Sequence, residues 1–405
     1  MTYKVAPSRV QLPMWPIYIC VAVTALGIGI INPIIPKLLE KNGADEFIVG
    51  LSTSLMFASL VLTGLPIGKH MDRIGIRPFL ILGLLIYCLP MALMPFTNKI
   101  IYFFLLRIFE GIGWSCVWTA AETYVTQVSS PEQRGHNTAV YAMSLATGTA
   151  AGPMVGAVMM HFFNIIAPFM LAVILAIGAM ILVILILPEP HVHREEHLGS
   201  GISFKITRPL ILPLAIAFLY GYGTLSLVSL LPTLNYTSFQ LGLLITVTVV
   251  GNIVAQIPIG RMLDRFGYRP LLLGSLSLLC GAAVLAAFQP PFNVVLLLGA
   301  LLGAFAGTLY PIGLAILGAR VPSAKLGGAN GMFTVCYGLG SVVGPGLTGW
   351  IMSLVGKRHS DQALFGTIGV LVFCLLMMLV FKLDHYDTSQ EHAIHSSSGG
   401  FKPPV

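Results

Sequence analysis

Charged residues are scarce in this 405-residue chain: only 9% of its side chains are Asp, Glu, Lys or Arg, whereas soluble domains carry about 25%. Hydrophobic residues make up 56%, which is typical of a chain whose solvent is mostly lipid. The formal net charge is +7, but the basic residues stand singly at the ends of apolar runs, so the sequence offers no basic patch for nucleic acid. We therefore expect the lipid bilayer, and no nucleic acid, among its partners.

Sequence signals for a metal site, a disulfide framework or an enzyme are also missing. The six cysteines lie one by one inside apolar runs, without metal-ligand spacing. The histidines of two polar segments, 188–208 and 385–405, lack regular ligand spacing, and we interpret them as solvated. No phosphate-binding glycine loop or nucleophile–base pairing stands out, which excludes an enzyme and intrinsic ATP-driven transport. We expect no cofactor and no bound metal.

Twelve apolar runs are each long enough to cross a bilayer, which takes about 20 residues. The runs are continuous and do not alternate polar with apolar residues as the strands of a β-barrel do. We therefore predict an all-α integral membrane protein with twelve transmembrane helices, numbered span 1 to span 12. The runs are 14–36, 47–68, 78–96, 100–126, 136–161, 166–187, 209–232, 240–260, 270–289, 293–319, 328–354 and 363–383.

Lysine and arginine are distributed unevenly between the two sides of the predicted membrane. Sixteen of the 22 fall on the side that carries both termini and five on the other, while Arg107 lies inside span 4. Loops rich in Lys and Arg stay in the cytoplasm. This predicts a multi-pass protein of the plasma membrane, the inner membrane of a bacterium, with both termini cytoplasmic.

One charged segment occurs twice, 192 residues apart. PIGKHMDRIGIRP at 66–78 and PIGRMLDRFGYRP at 258–270 are identical at eight of thirteen positions, and the same offset relates Gly111 to Gly303. This predicts two pseudo-symmetric six-helix bundles of the same orientation, related by an axis along the membrane normal. The predicted divisions are an N-terminal bundle at 1–187, a cytoplasmic linker at 188–208, a C-terminal bundle at 209–384 and a flexible cytoplasmic tail at 385–405.

Five short motifs of glycine, proline and charged residues follow one another along the first half. They are Asn32-Pro33-x-x-Pro36, Gly68-x-x-x-Asp72-Arg73-x-Gly75-x-Arg77, Arg107-x-x-x-Gly111-x-Gly113, Pro131-x-x-Arg134-Gly135 and Gly148-x-x-x-Gly152-Pro153-x-x-Gly156. In this order they resemble the major facilitator superfamily, and the last resembles its twelve-helix drug:proton antiporter branch. The resemblance implies the major facilitator fold and a secondary transporter whose two bundles rock about a central site.

The resemblance also implies roles for the two repeated motifs. The charged segment would latch the halves together in the outward-facing state, and the Gly-Pro pairs would bend helices where the halves meet. For the charged segment, the alternative is that its basic residues only set the membrane topology by the positive-inside rule. For the Gly-Pro pairs, the alternative is simple helix packing. Relatives usually carry an Asp where this chain has Gln127, so its charge network is thinner or rewired. The latch residues are Gly68, Asp72, Arg73, Gly75, Arg77, Gly260, Asp264, Arg265, Gly267 and Arg269; the bend residues are Gly152, Pro153, Gly344 and Pro345.

Span 4 carries ionisable and aromatic residues inside the membrane, where ionisable groups are costly and usually functional. On a helical wheel Trp114 and Trp118 each fall within about 20° of Arg107, and Glu110 and Glu122 flank these three residues. We predict proton coupling through Glu122, Glu110 and Arg107. Three alternatives remain: an Arg107–Glu110 structural ion pair, a Glu122 that snorkels to the cytoplasmic mouth, and tryptophans that pack or form an interfacial belt.

Between the two acids, we assign the coupled proton to Glu122, which has no basic residue close in sequence. Glu110 lies three residues from Arg107, and we assign it a structural pair. The resemblance implies that spans 1, 4, 7 and 10 line the central cavity. The predicted cavity residues are Trp114, Trp118, its symmetry mate Tyr310, Asn32, Tyr220 and Tyr222.

These features favour proton-coupled export of a small amphipathic or cationic organic compound by alternating access. The alternative is a proton-coupled or facilitative carrier for a specific metabolite such as a sugar, an amino acid or a siderophore. A passive channel or a receptor is less favoured, because the latches are duplicated and the loops are short. We expect the carrier to act as a monomer, with the substrate and protons as its partners.

Overall fold

Twelve helical spans long and apolar enough to cross a membrane make up the described part of the chain, which confirms the predicted count. The structure, a computed structural model, describes residues 13–129, 134–189, 210–321 and 326–380, and these contain no strand. Most of the predicted linker and the predicted tail lie outside them. The helices are Trp15–Ile31 with Ile35–Lys41 (span 1), Glu46–Ile74, Ile76–Leu93, Ile100–Val128, Arg134–Phe162, Ile166–Ile186, Ile211–Leu230, Ser238–Phe266, Tyr268–Ala287, Phe292–Arg320, Leu326–Val355 and Ser360–Val380 (span 12).

Span 1 consists of two helices where the sequence predicts one run at 14–36. The first helix ends at Ile31 and the second begins at Ile35. Pro33 lies between them, and proline lacks the backbone N–H that a continuous helix requires. The span continues to Lys41, so Lys37 and Glu40 belong to it and do not lie in a loop.

Most of the repeated charged segment is helical, although the sequence suggested a loop with a tight turn. Span 2 continues to Ile74 and span 8 to Phe266. Only the next residues turn the chain: Gly75 and Gly267 adopt φ values of +111° and +72°, a conformation that favours glycine. The positions of most of the charged residues therefore lie in the last turns of spans 2 and 8.

The two halves repeat one packing arrangement. In the first half, span 1 packs on spans 5 and 6, and span 4 on spans 2 and 3. In the second half, span 7 packs on span 11 and also touches span 12, and span 10 packs on spans 8 and 9. These are the two pseudo-symmetric six-helix bundles that the duplication predicts. We call the membrane face that holds Pro13, Glu189 and Leu210 the linker face, and the opposite face the distal face.

Each half contacts the other through a glycine and a proline at equivalent positions. A β-carbon built on Gly50 of span 2 would lie 2.0 Å from the carbonyl oxygen of Pro345 in span 11. One built on Gly242 of span 8 would lie 2.9 Å from the carbonyl oxygen of Pro153 in span 5. Between spans 1 and 8, the Lys37 ammonium donates a hydrogen bond to Ser238 Oγ at 3.0 Å. These contacts hold the halves together on the distal side of the membrane.

The glycines of the two Gly-Pro pairs pack inside their own halves. Gly152 lies against Gly29, and Gly344 against Tyr222, closely enough that a β-carbon would collide with backbone atoms at 2.4 Å and 2.6 Å. The helices of spans 5 and 11 continue through both prolines. Each pair thus serves packing within a half through its glycine and contact between halves through its proline.

Replacing Gly50 with alanine is expected to separate the halves at the distal face. Overpacking against a backbone carbonyl costs about 1–3 kcal/mol, so the ratio of molecules with a closed distal face to molecules with an open one should fall by about 5- to 150-fold. Glu40 and Lys357, which attract each other across the halves, provide positions for spin labels once the native cysteines are replaced. The distance between the labels should lengthen in Gly50→Ala. It should not change in Gly178→Ala, because in the described part of the chain no atom beyond the helix's own backbone and the adjacent residues lies within 4 Å of the added group. Equal distances in both variants would contradict this packing.

Candidate functional site

Arg107 and Glu110 form the ion pair that their spacing in span 4 predicts. The guanidinium donates to a Glu110 carboxylate oxygen at 2.7 Å, and the two side chains are 2% and 0% exposed. A second guanidinium nitrogen lies 3.5 Å from Thr53 Oγ1 of span 2. Arg107 Nε and Glu110 Oε1 have no hydrogen-bond partner among the described residues, and neither has the nearby Tyr87 hydroxyl. The pair is enclosed between spans 2, 3 and 4, which supports the structural alternative; its part in proton coupling stays a prediction.

The two tryptophans of span 4 occupy successive layers. Their rings meet edge to face, with centroids 5.6 Å apart. Trp114 is only 6% exposed and supports Trp118 from within the first half. The sequence predicts that Trp114 lines the cavity, and this stays a prediction. Trp118 is partly exposed, and its side chain hydrogen-bonds to Glu122. The helical wheel shows on which side of span 4 the two tryptophans lie, but not how deeply each one is buried.

Glu122 lies where the two halves approach each other. Its side chain is exposed, about 9 Å along the helix from the end of span 4 at the linker face. The carboxylate is close enough to act electrostatically on the hydroxyls of Tyr141 in span 5 and Tyr310 in span 10. An acid of the first half therefore faces a tyrosine of the second, nearer the linker face than the distal face.

Tyr310 belongs to an aromatic cluster contributed by spans 7, 10 and 11. Its ring centroid lies 5.5 Å from that of Tyr220, 5.3 Å from Phe333 and 6.3 Å from Tyr337. Tyr220 and Tyr337 are 5.7 Å apart. The three tyrosines are partly exposed, so the cluster presents ring surface on the side of the second half that faces Glu122.

Two amides of span 8 extend this cluster. The Gln256 side chain donates to Asn252 Oδ1 at 2.8 Å, and Asn252 hydrogen-bonds to the Tyr220 side chain. Sequence reasoning missed both amides because it considered ionisable groups first. The available signal was their spacing of four residues, which places two polar side chains on one face of an apolar helix.

Of the other two predicted cavity residues, Tyr222 faces away from the aromatic cluster, and Asn32 stays a prediction. Tyr222 is 1% exposed, and its hydroxyl lies 2.7 Å from Thr348 Oγ1 inside the second half. It is two residues from Tyr220, a rotation of about 200°, and so faces away from the aromatic cluster. Asn32 is partly exposed at the break in span 1, and its side chain makes no hydrogen bond to the described residues of the cluster.

The proposed latch is described only in part. Glu189, which follows span 6, accepts hydrogen bonds from the backbone amides of Ile76 and Arg77 at 2.7 Å and 2.8 Å. The Arg77 guanidinium donates to the carbonyl oxygen of Ile184. Arg265 and Arg269 are exposed. The structure does not describe the side chains of Asp72, Arg73 and Asp264 or the surroundings of Gly68 and Gly260. The latch therefore stays a prediction.

A metal centre is not found in the described ranges, which contain no group of three or more His, Cys, Asp or Glu side chains suited to an ion. The histidines of the linker and the tail lie outside those ranges. The described side chains at the candidate site offer one carboxylate, an indole, three phenols and two carboxamides.

Comparison with known proteins agrees with this architecture. The family model described as Major Facilitator Superfamily matches residues 17–240 and 214–403. The chain is 26% identical to the uncharacterized MFS-type transporter YfkF of Bacillus subtilis, over 82% of this chain and 86% of that protein. It is 27% identical to the uncharacterized MFS-type transporter YcaD of Escherichia fergusonii, over 91% and 95%.

Two solved structures share the fold at low identity. The nucleoside transporter NupG superposes with a TM-score of 0.73 at 13% identity, covering 92% of this chain and 99% of that one. A D-xylose-proton symporter superposes with a TM-score of 0.72 at 14% identity, covering 90% and 97%.

Proposed function

The chain belongs to the Major Facilitator Superfamily, and on that premise we propose that it is a secondary active carrier that exchanges protons for a small amphipathic organic compound. The observation that supports this most is the position of Glu122. It is an exposed carboxylate inside a membrane span, bonded to Trp118 of its own half and close to Tyr310 of the other. Membrane-embedded acids in such positions carry protons in transporters.

We assign the linker face to the cytoplasm, because the bias of Lys and Arg favours that orientation. In a bacterium the membrane would be the inner membrane. The close approaches between the halves run from the distal face, at Lys37 and Ser238, to the middle of span 2, where Val61 meets Gly338. Glu122 is exposed nearer the linker face. This supports a carrier closed to the outside, the state in which an exporter takes up its substrate.

Proton-driven uptake of a specific metabolite is the second candidate. The chain shares its fold with a protein named as a D-xylose-proton symporter and with one named as a nucleoside transporter. The hydrogen-bonding groups of Asn252 and Gln256 suit a defined polar ligand better than a range of apolar ones. Both candidates use the same carboxylate and differ in the relative direction of proton and substrate.

Substrate accumulation by the purified chain in liposomes is expected to follow an imposed pH gradient. With a panel of drugs and metabolites outside, antiport predicts accumulation when the interior is acidic, because protons leave as substrate enters. Symport predicts accumulation when the interior is alkaline. Empty liposomes and an ionophore that collapses the gradient are the controls. Uptake that reaches the same level with an acidic interior, with an alkaline interior and with equal pH on both sides would contradict proton coupling.

A further inference from the structure

The two halves share a fold but differ in polarity at a few positions inside the membrane. Tyr220 lies in span 7, and Asn252 and Gln256 lie in span 8, near the centre of the second half. Their counterparts in the first half, 192 positions earlier, are Ile28, Leu60 and Gly64. Packing a six-helix bundle therefore does not require these polar groups. Polar side chains in a membrane cost free energy and usually serve a function, so the difference marks these three residues as a candidate site.

The three residues form one hydrogen-bonded chain with spare capacity at its end. A carboxamide offers two N–H donors and one carbonyl acceptor. Gln256 uses one donor on Asn252, and among the described residues nothing else bonds to its amide. One N–H and the Oε1 oxygen remain, side by side, on a partly exposed side chain. Asn252, bonded on its other side to Tyr220, holds this amide in place.

A donor and an acceptor side by side recognise a ligand edge that carries the complementary pair. Planar heterocycles and carboxamides with an N–H beside a carbonyl or a ring nitrogen have such an edge, and Asn and Gln read them with two parallel hydrogen bonds. An aliphatic ligand would displace water from the Gln256 amide and offer no hydrogen bond in return. The amide would lose its hydrogen bonds to water, which costs free energy.

The adjoining tyrosines favour a ring. Tyr220, Tyr310 and Tyr337 lie 5.5–6.3 Å from one another and are partly exposed, so they present faces and edges on which a planar group can stack. The described side chains of this wall carry no formal charge. Glu122 of the first half lies close to Tyr310, but a charged group bound at the Asn252 and Gln256 amides would lose its hydration without gaining a counter-charge from this wall. The part of the substrate that lies against the amides is therefore neutral.

We infer that Tyr220, Asn252 and Gln256 determine substrate specificity by binding the hydrogen-bonding edge of a neutral planar ring or amide. The inference rests on the proposed function, since it takes the space between the halves as the transport cavity. It assigns ring recognition to the second half and proton binding, through Glu122, to the first. The sequence predicts an amphipathic or cationic substrate, and the inference adds that part of this substrate is neutral and planar.

Two matched pairs of probes test the inference on the full chain in detergent and in liposomes. Uracil and nicotinamide carry an N–H beside a carbonyl oxygen, whereas 1,3-dimethyluracil and N,N-dimethylnicotinamide keep the ring and the carbonyl but lack the donor. The wild-type chain should bind at least one unmethylated probe about 10-fold or more tightly than its methylated partner, measured by calorimetry. Gln256→Leu should remove this preference by weakening the unmethylated probe alone. Thr246→Val, elsewhere on span 8, should retain it.

Each outcome bears on a different claim. Equal binding of both members of each pair by the wild-type chain, or an unchanged preference in Gln256→Leu, overturns the inference. If Gln256→Leu does not fold, as judged by thermal unfolding, Tyr220→Phe takes its place, since it removes only a hydroxyl; retained preference in that variant overturns the inference too. Accumulation of tetraphenylphosphonium driven by a pH gradient, together with no preference between the probes, would leave the proposed function standing and the inference refuted.

Discussion

Glu122→Gln is expected to abolish the accumulation of substrate driven by a pH gradient while sparing exchange of substrate across the membrane at equal pH. Glutamine has nearly the shape of the protonated acid but neither gains nor loses a proton. The variant should therefore move substrate only until the concentrations inside and outside are equal. Trp118, which bonds to Glu122, and Tyr310, which lies close to it, remain in place, so the cavity keeps its walls.

The measurement is uptake into liposomes with and without the gradient, in the direction that the wild-type chain uses. Glu40→Gln is the matched control, because it makes the same acid-to-amide change in span 1, near the distal face. It should retain accumulation. A Glu122→Gln variant that still concentrates substrate would transfer the proton assignment to Glu110, the other acid of span 4.

Arg107→Leu is expected to destabilise the chain by about 3–5 kcal/mol, the range found when one partner of a buried ion pair is removed. Glu110 would be left inside the first half at 0% exposure, without its guanidinium partner. The double variant Arg107→Leu with Glu110→Leu should recover most of the loss, because two apolar side chains leave no uncompensated charge. Chemical or thermal unfolding of the purified chain measures both effects.

Replacement of Glu122 by leucine provides the comparison, since it removes an acid from the same span at an exposed position. That variant should unfold close to the wild type. If the double variant were as unstable as Arg107→Leu alone, the arginine would stabilise the fold through contacts other than the pair, with Thr53 the first to consider.

The architecture was predictable because it depends on features that are local in sequence. Span length follows from the thickness of the bilayer, and the duplication shows directly as a repeated segment. The Arg107–Glu110 pair was predictable because i,i+3 neighbours meet on any helix. The break at Pro33 has an equally local cause, the missing N–H, and was overlooked within an otherwise apolar run.

The site was predicted less completely because it depends on which helices become neighbours. A helical wheel places Trp114 beside Trp118 but does not show that Trp114 is buried while Trp118 stays partly exposed. The chain from Gln256 through Asn252 to Tyr220 joins two spans, and no sequence interval reports that contact. A position-by-position comparison of the two halves is the best guide to this site that the sequence offers. It shows which polar residues the shared fold does not need.

The location of both partners of the ion pair on span 4 has a consequence for how the chain enters the membrane. A lone arginine or acid at the centre of a helix costs about 2.5–3.5 kcal/mol at insertion. Arg107 and Glu110 lie one turn apart, so they can pair as soon as the nascent helix forms, before spans 2 and 3 have packed around them. The insertion machinery then delivers these two residues to the lipid as a pair without net charge. Had the partners been divided between two spans, each charge would have faced lipid until those helices met; the second half, with Gly299 and Leu302 at these positions, needs no such arrangement.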